Sequence, residues 1–145
     1  MVTDHCRKEA THLIHRIIVL SDHSPSSEQA LFEAMKIGQI YRSIICCIHP
    51  TDVQDALSIK AASELRKKFE ELVRSAGLEF EWRTADGDPA SAVVSAVSTE
   101  GADLAVVGSL GEGGIKRQLL MSAAEKIVRD APCDVLVVKR ERPVF

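Results

Sequence analysis

A chain of 145 residues with 18 basic and 21 acidic side chains and a formal charge of −3 is the size of one domain and offers no broad positive face to a polyanion, which disfavours nucleic acid as a partner. No apolar run approaches the roughly 20 residues that span a bilayer, and the N-terminal MVTDHCRKEATHLIH lacks the apolar core of a signal peptide. A soluble, cytoplasmic protein without a membrane role is expected.

Taken in chain order, residues 1–15 form an N-terminal arm or extension, and residues 16–145 a single α/β domain. His5, Cys6, His12 and His15 in the arm match no common metal-site spacing. Ile17 to Leu20 is a short β-branched apolar run, the pattern of a buried strand. From Ser26 to Gln39, apolar residues recur at helical spacing behind Pro25 and several serines. A second buried strand runs from Ile44 to Ile48. Helical periodicity returns from Val53 to Ala76, with Leu57, Ala61, Leu65, Phe69, Leu72 and Val73 on one stripe and a stop at Gly77. From Leu78 to Thr84 apolar and polar residues alternate, as in a strand at the edge of a sheet. Asp88 and Pro89 open a helix to about Thr99, before Gly101. Leu104 to Val107 is a fourth strand, Ser122 to Arg129 a fourth helix and Val135 to Val138 a fifth strand. The aromatic content is only 4%, so Ile, Val, Leu and Ala must build the core, which suits a parallel sheet buried on both faces. Cys6, Cys46, Cys47 and Cys133 lack paired CxxC spacing and are expected as reduced thiols.

Strict alternation of β and α elements predicts a doubly wound, Rossmann-like α/β fold with a five-stranded parallel sheet and helices on both faces. Ligands of such folds bind beyond the carboxyl ends of the strands, where strand order reverses. The loops after the first and fourth strands are therefore the candidate site. After the first comes Leu20-Ser21-Asp22-His23-Ser24-Pro25, in which Asp22 can accept from an adenine amino group or a ribose hydroxyl, or belong with Ser24 and Ser26 to the cap of the following helix. His23 and His49 fall at strand ends near the crevice; a lone loop histidine is ordinarily a surface residue. After the fourth strand, Gly108-Ser109-Leu110-Gly111-Glu112-Gly113-Gly114 leads towards Ser122. Its glycines allow close backbone approach and positive φ, and Ser122 with Glu125 matches a capping box whose amides can also receive phosphate. An ordinary strand-to-helix loop fits that pattern as well, and Lys116 and Arg117 fit a solvated surface.

Five blocks in register resemble the universal stress protein family: Arg16 to Ser24, Ala76 to Glu81, Asp86-Gly87-Asp88-Pro89-Ala90, Gly101 to Ser109, and Ala124 to Val138. The resemblance implies strand order 3-2-1-4-5, a homodimer through the last strand from Val135 to Lys139, an unidentified protein partner, and ATP or AMP, with Mg, between the first and fourth strands. Carried over by position, Asp22 and Ile48 are the adenine contacts. Gly108, Ser109 and Gly111 are the phosphate and ribose loop, and Ser122 is the phosphate donor at the helix start. Leu20, Ser21, Val107, Met121 and Ala123 complete the implied nucleotide-binding set. Three positions depart from the family pattern: Leu110 replaces a frequent histidine or arginine, Glu112 a basic or small residue, and Met121 the third motif glycine. Glu112 adds a negative charge worth about 1 kcal/mol of repulsion a few ångströms from a phosphate in water. Met121 adds a side chain that can fill the phosphate position, in which case no nucleotide cofactor is implied.

The leading expectation is a dimeric stress-response protein that binds an adenine nucleotide and acts through partners. No residue is a clear catalytic base, so ATP hydrolysis is expected to be absent or incidental, and no catalytic or metal-ligating residue is assigned. The alternative is a nucleotide-free interaction dimer of the same fold. A phosphoacceptor receiver fits Asp22, Asp86 or Asp88, and Lys139 only superficially, because Ser21 and His23 flank Asp22 where paired acids are needed.

Overall fold

The alternation of buried runs and capped helical segments is realised element by element in the computed structural model, which describes residues 13–51, 55–109 and 123–139. The strands are β1 (Arg16–Leu20), β2 (Ile44–Thr51), β3 (Glu79–Asp86), β4 (Leu104–Gly108) and β5 (Asp134–Val138). They form one sheet in the order β3-β2-β1-β4-β5, each neighbouring pair parallel. The helices are α1 (Pro25–Tyr41), α2 (Ala56–Ser75), α3 (Pro89–Glu100) and α4 (123–130). β3, the alternating segment, is an outer strand as its pattern predicts. The order reverses between β1 and β4, so the crevice opens there.

Side chains alternate across the sheet and divide the core into two layers. Ile18, Leu20, Cys46 and Ile48 point to one face, where they meet Val93 and Val97 of α3 and Ile127 of α4. Ile17, Val19 and Cys47 point to the other, under Ala30 and Leu31 of α1 and Phe69 and Val73 of α2. The neighbours Cys46 and Cys47 therefore lie on opposite faces of β2, both free and buried. Burial, above all, pushes both thiols up to about 12, which keeps them protonated and inert.

The starts of α1, α2 and α3 each have an oxygen cap that accepts an otherwise unsatisfied amide N–H. Ser24 accepts from Ser27 at the start of α1, Asp55 from Ser58 at α2 and Asp88 from Ser91 at α3. The expected start of the second helix at Val53 is corrected to Ala56, because Asp55 is extended and caps the helix. Helices commonly end on a left-handed residue. Gly101 supplies one for α3 at φ 66°, whereas α1 uses Arg42 at φ 56°. A side chain in that region carries a steric cost that glycine avoids. Arg42→Gly, at an exposed position, is therefore expected to stabilise the protein by about 1 kcal/mol, read as a higher urea midpoint at unchanged slope.

The packed chain reaches back beyond β1. Ile14 lies against the core, its carbonyl accepts from Ser43 Oγ, and Asp103 Oδ2 accepts from the amides of His15 and Arg16 at 2.8 and 3.1 Å. On the α3 face a compact ionic cluster joins three elements. Arg16 pairs with Glu81 and, at 3.5 Å, with Glu100, while Arg83 reaches both carboxylates at 3.1 Å. At the other end of α3, Lys126 of α4 reaches Asp88 and Ser91, each at 2.9 Å. Both helix starts are thereby tied together on the crevice side.

Candidate functional site

The carboxyl edge of the sheet is unusually polar inside. Ser21, Ser24, Ser26, Ser27, His49 and Ser109 are all buried there, and the strand ends and the first turn of α1 bring them together. Ser21 extends β1 by one ladder bond, its N–H donating to the Ile48 carbonyl at 2.9 Å. The chain then turns. The Asp22 N–H donates to Ser27 Oγ at 2.9 Å, and Asp22 Oδ1 accepts from both the Ser24 N–H, at 2.8 Å, and the Ser24 hydroxyl. Of the residues offered as the cap of α1, one takes the role. Ser24 is the cap and Asp22 braces it with one carboxylate oxygen. The other oxygen, on a half-buried side chain, makes no hydrogen bond among the described residues.

Across the switch point, Gly108 ends β4 and the Ser109 N–H donates to the Val138 carbonyl at 2.9 Å. The expectation that Gly108 serves positive φ is corrected, since it is absent from the left-handed glycines Gly77, Gly87 and Gly101. Its close approach is to the protein itself. A Cβ here would lie 2.8 Å from the Ser26 carbonyl oxygen and 2.9 Å from its carbon, and closer still to Ser26 Oγ. Gly108 lets the first turn of α1 pack on the end of β4.

The remaining site expectations divide by environment. Leu20, Ile48, Val107 and Ala123 are buried in a single core layer, so a ligand in the crevice would meet their backbone and not their side chains. Leu20 and Ile48 are register partners. Gly111, Met121 and Ser122, with Leu110 and Glu112, lie outside the described residues. Cys46, Glu81 and Glu100 place three potential ligand atoms within 4.8 Å of one another. Arg16 and Arg83 already balance both carboxylates, which is ion-pair chemistry and not a cation site.

His49 is a further residue of this edge. The expected surface histidine is only 5% exposed; His23 is the exposed one. The His49 ring stacks on Trp82 at 5.2 Å and 24°, meets His23 edge-on at 5.4 Å, and places Nδ1 2.8 Å from the Ser21 carbonyl. The signal available in sequence was its parity on β2, one residue beyond Ile48 and so on the Cys47 face. Burial lowers the His49 pKa from its ordinary 6.5, with His23 adding to the lowering; the Ser21 bond and Asp22 oppose it. Because the folded value is the lower one, the stabilising effect of neutral His49 is complete above about 6.5. It is lost as pH falls through the folded value. Thermal midpoints are expected to drop between pH 7 and pH 5, and to drop less in His49→Asn, which has no titrating ring.

Residues 14–139 match the Universal stress protein family. The chain belongs to that family. A universal stress protein of Methanocaldococcus jannaschii is 27% identical over 149 aligned positions, covering 93% of this chain and 88% of the relative. Among solved structures, the protein MJ0577 superposes with a TM-score of 0.77 at 22% identity, covering 90% of this chain and 99% of that one. A universal stress protein in complex with cAMP superposes at 0.69 with 25% identity, covering 86% and 97%. The universal stress protein fold thus accounts for the sheet order, and the crevice between β1 and β4 lies at its topological switch. No helix among the described residues is long and apolar enough to cross a membrane.

Proposed function

We propose that this universal stress protein binds an adenine nucleotide in the crevice between β1 and β4 and acts as a dimeric regulatory or protective factor rather than by turnover. Asp22 carries this reading. One of its oxygens is committed to Ser24, while the other, on a half-buried side chain and unbonded among the described residues, is an acceptor at the switch point suited to the amino group of a base. The cAMP held by the related protein is of the same ligand class. β5 is the outer strand on the β4 side, and its residues Val135 to Val138 are only partly buried, as suits an edge that pairs with a second copy.

Titration calorimetry with AMP, ATP and cAMP, alongside mass spectrometry of nucleotide released from the purified protein, tests this. Binding that weakens in Asp22→Ala is expected, and absence of binding by all three ligands at millimolar concentration rejects it. Met121, standing where the family motif has its third glycine, favours a second reading as a nucleotide-free dimer. Binding that arises only in Met121→Gly selects that second reading.

A further inference from the structure

In a parallel ladder a residue that donates its N–H to residue j−1 of the neighbouring strand accepts, at its carbonyl, from the N–H of j+1. At the start of β2 this pattern appears as the Ile44 N–H donating to the His15 carbonyl at 2.8 Å. At the far end, the Ser21 N–H donates to the Ile48 carbonyl, so the Ser21 carbonyl should receive the N–H of residue 50. Residue 50 is proline and has none. The neighbouring His49 places Nδ1 2.8 Å from that carbonyl instead. A carbonyl can only accept, so the ring hydrogen sits on Nδ1.

We propose that His49 is a positioning residue for the base-binding end of the crevice: it supplies the ladder bond that Pro50 deletes and so holds the β1–α1 turn that presents Asp22. Ser21 is thereby gripped at both its N–H and its carbonyl, one residue before the carboxylate. The ring is itself held between the face of Trp82 and the perpendicular ring of His23, which lends a side-chain donor some of the rigidity of a backbone one. The inference rests on the nucleotide reading of the site and adds a residue to it.

The test uses AMP and, as a ligand lacking the base, ribose 5-phosphate, titrated into the full-length protein. His49→Phe, which keeps a ring against Trp82 and removes the donor, is expected to weaken AMP about tenfold, the loss of roughly one hydrogen bond. Ribose 5-phosphate should change by less than twofold. Adding Pro50→Ala to His49→Phe restores a backbone N–H and should recover AMP affinity. Equal weakening of both ligands, unchanged AMP affinity in His49→Phe, or no recovery in the double variant overturns the proposal. If His49→Phe does not fold, Pro50→Ala is compared with the double variant: equal AMP affinity supports the donor role and a loss in the double rejects it. A wild-type protein that binds no AMP rejects the nucleotide reading itself and this inference with it, an outcome distinct from binding that ignores His49.

Discussion

Replacing Gly108 by alanine is expected to cost about 3 kcal/mol, at the upper end for overpacking a close contact, and to lower the thermal midpoint by roughly 10 °C for a domain of this size. The new methyl group would meet the carbonyl carbon and oxygen of Ser26 as well as its hydroxyl. A hydroxyl can rotate away, but a helix backbone moves only with the helix. The double variant Gly108→Ala/Ser26→Gly should therefore recover only part of the loss. Full recovery would mean that the hydroxyl alone is the obstacle. Because Ser26 lies in the first turn of α1, next to the cap that Asp22 braces, the same substitution should also disturb the crevice.

Removing the carboxylate of Glu100 is the second large effect. Glu100 faces Arg16 and Arg83 and lies 3.8 Å from the buried Cys46 thiol. Its side chain is 19% exposed, against 18% for Arg16 and 47% for Arg83. The cluster lies between the exposed pairs that contribute under 1 kcal/mol and the buried ones whose breakage costs 3–5. Glu100→Ala should cost about 2 kcal/mol, since two arginines are left to share Glu81. Arg83→Ala alone should cost less, because that guanidinium is half in water. Denaturant unfolding of the two single variants and the double variant isolates their coupling, and strictly additive losses would show that Glu100 and Arg83 do not stabilise each other.

Legibility in the sequence followed the physics of each element. The buried β-branched runs, the alternation of β3 and the oxygen-then-proline starts of α1 and α3 are local patterns, and they become the elements observed. The start of α2 shifted from Val53 to Ala56 because one carboxylate, Asp55, decides the boundary by its extended conformation. At the site, Asp22 was legible as a polar residue at a strand end. That one of its oxygens braces the Ser24 cap depends on how the turn closes. Gly108 reads as part of a phosphate loop, and that it also makes room for Ser26, some eighty residues earlier, is visible only once α1 lies on β4. From sequence, His49 reads as a strand-end residue near the crevice and ordinarily at the surface, because its burial comes from Trp82 and from the β1–α1 turn, both remote in sequence. The order of the strands came from family resemblance and agrees with the observed sheet.

The adjacent thiols of β2 have a use that their inertness conceals. One peptide bond separates Cys46, facing the α3 and α4 layer, from Cys47, facing the α1 and α2 layer. Each can be alkylated only when its own layer lifts from the sheet. The pair is therefore an internal clock for the two halves of the domain: matched labelling rates signify one cooperative opening, and a faster rate at either thiol identifies the layer that breathes first.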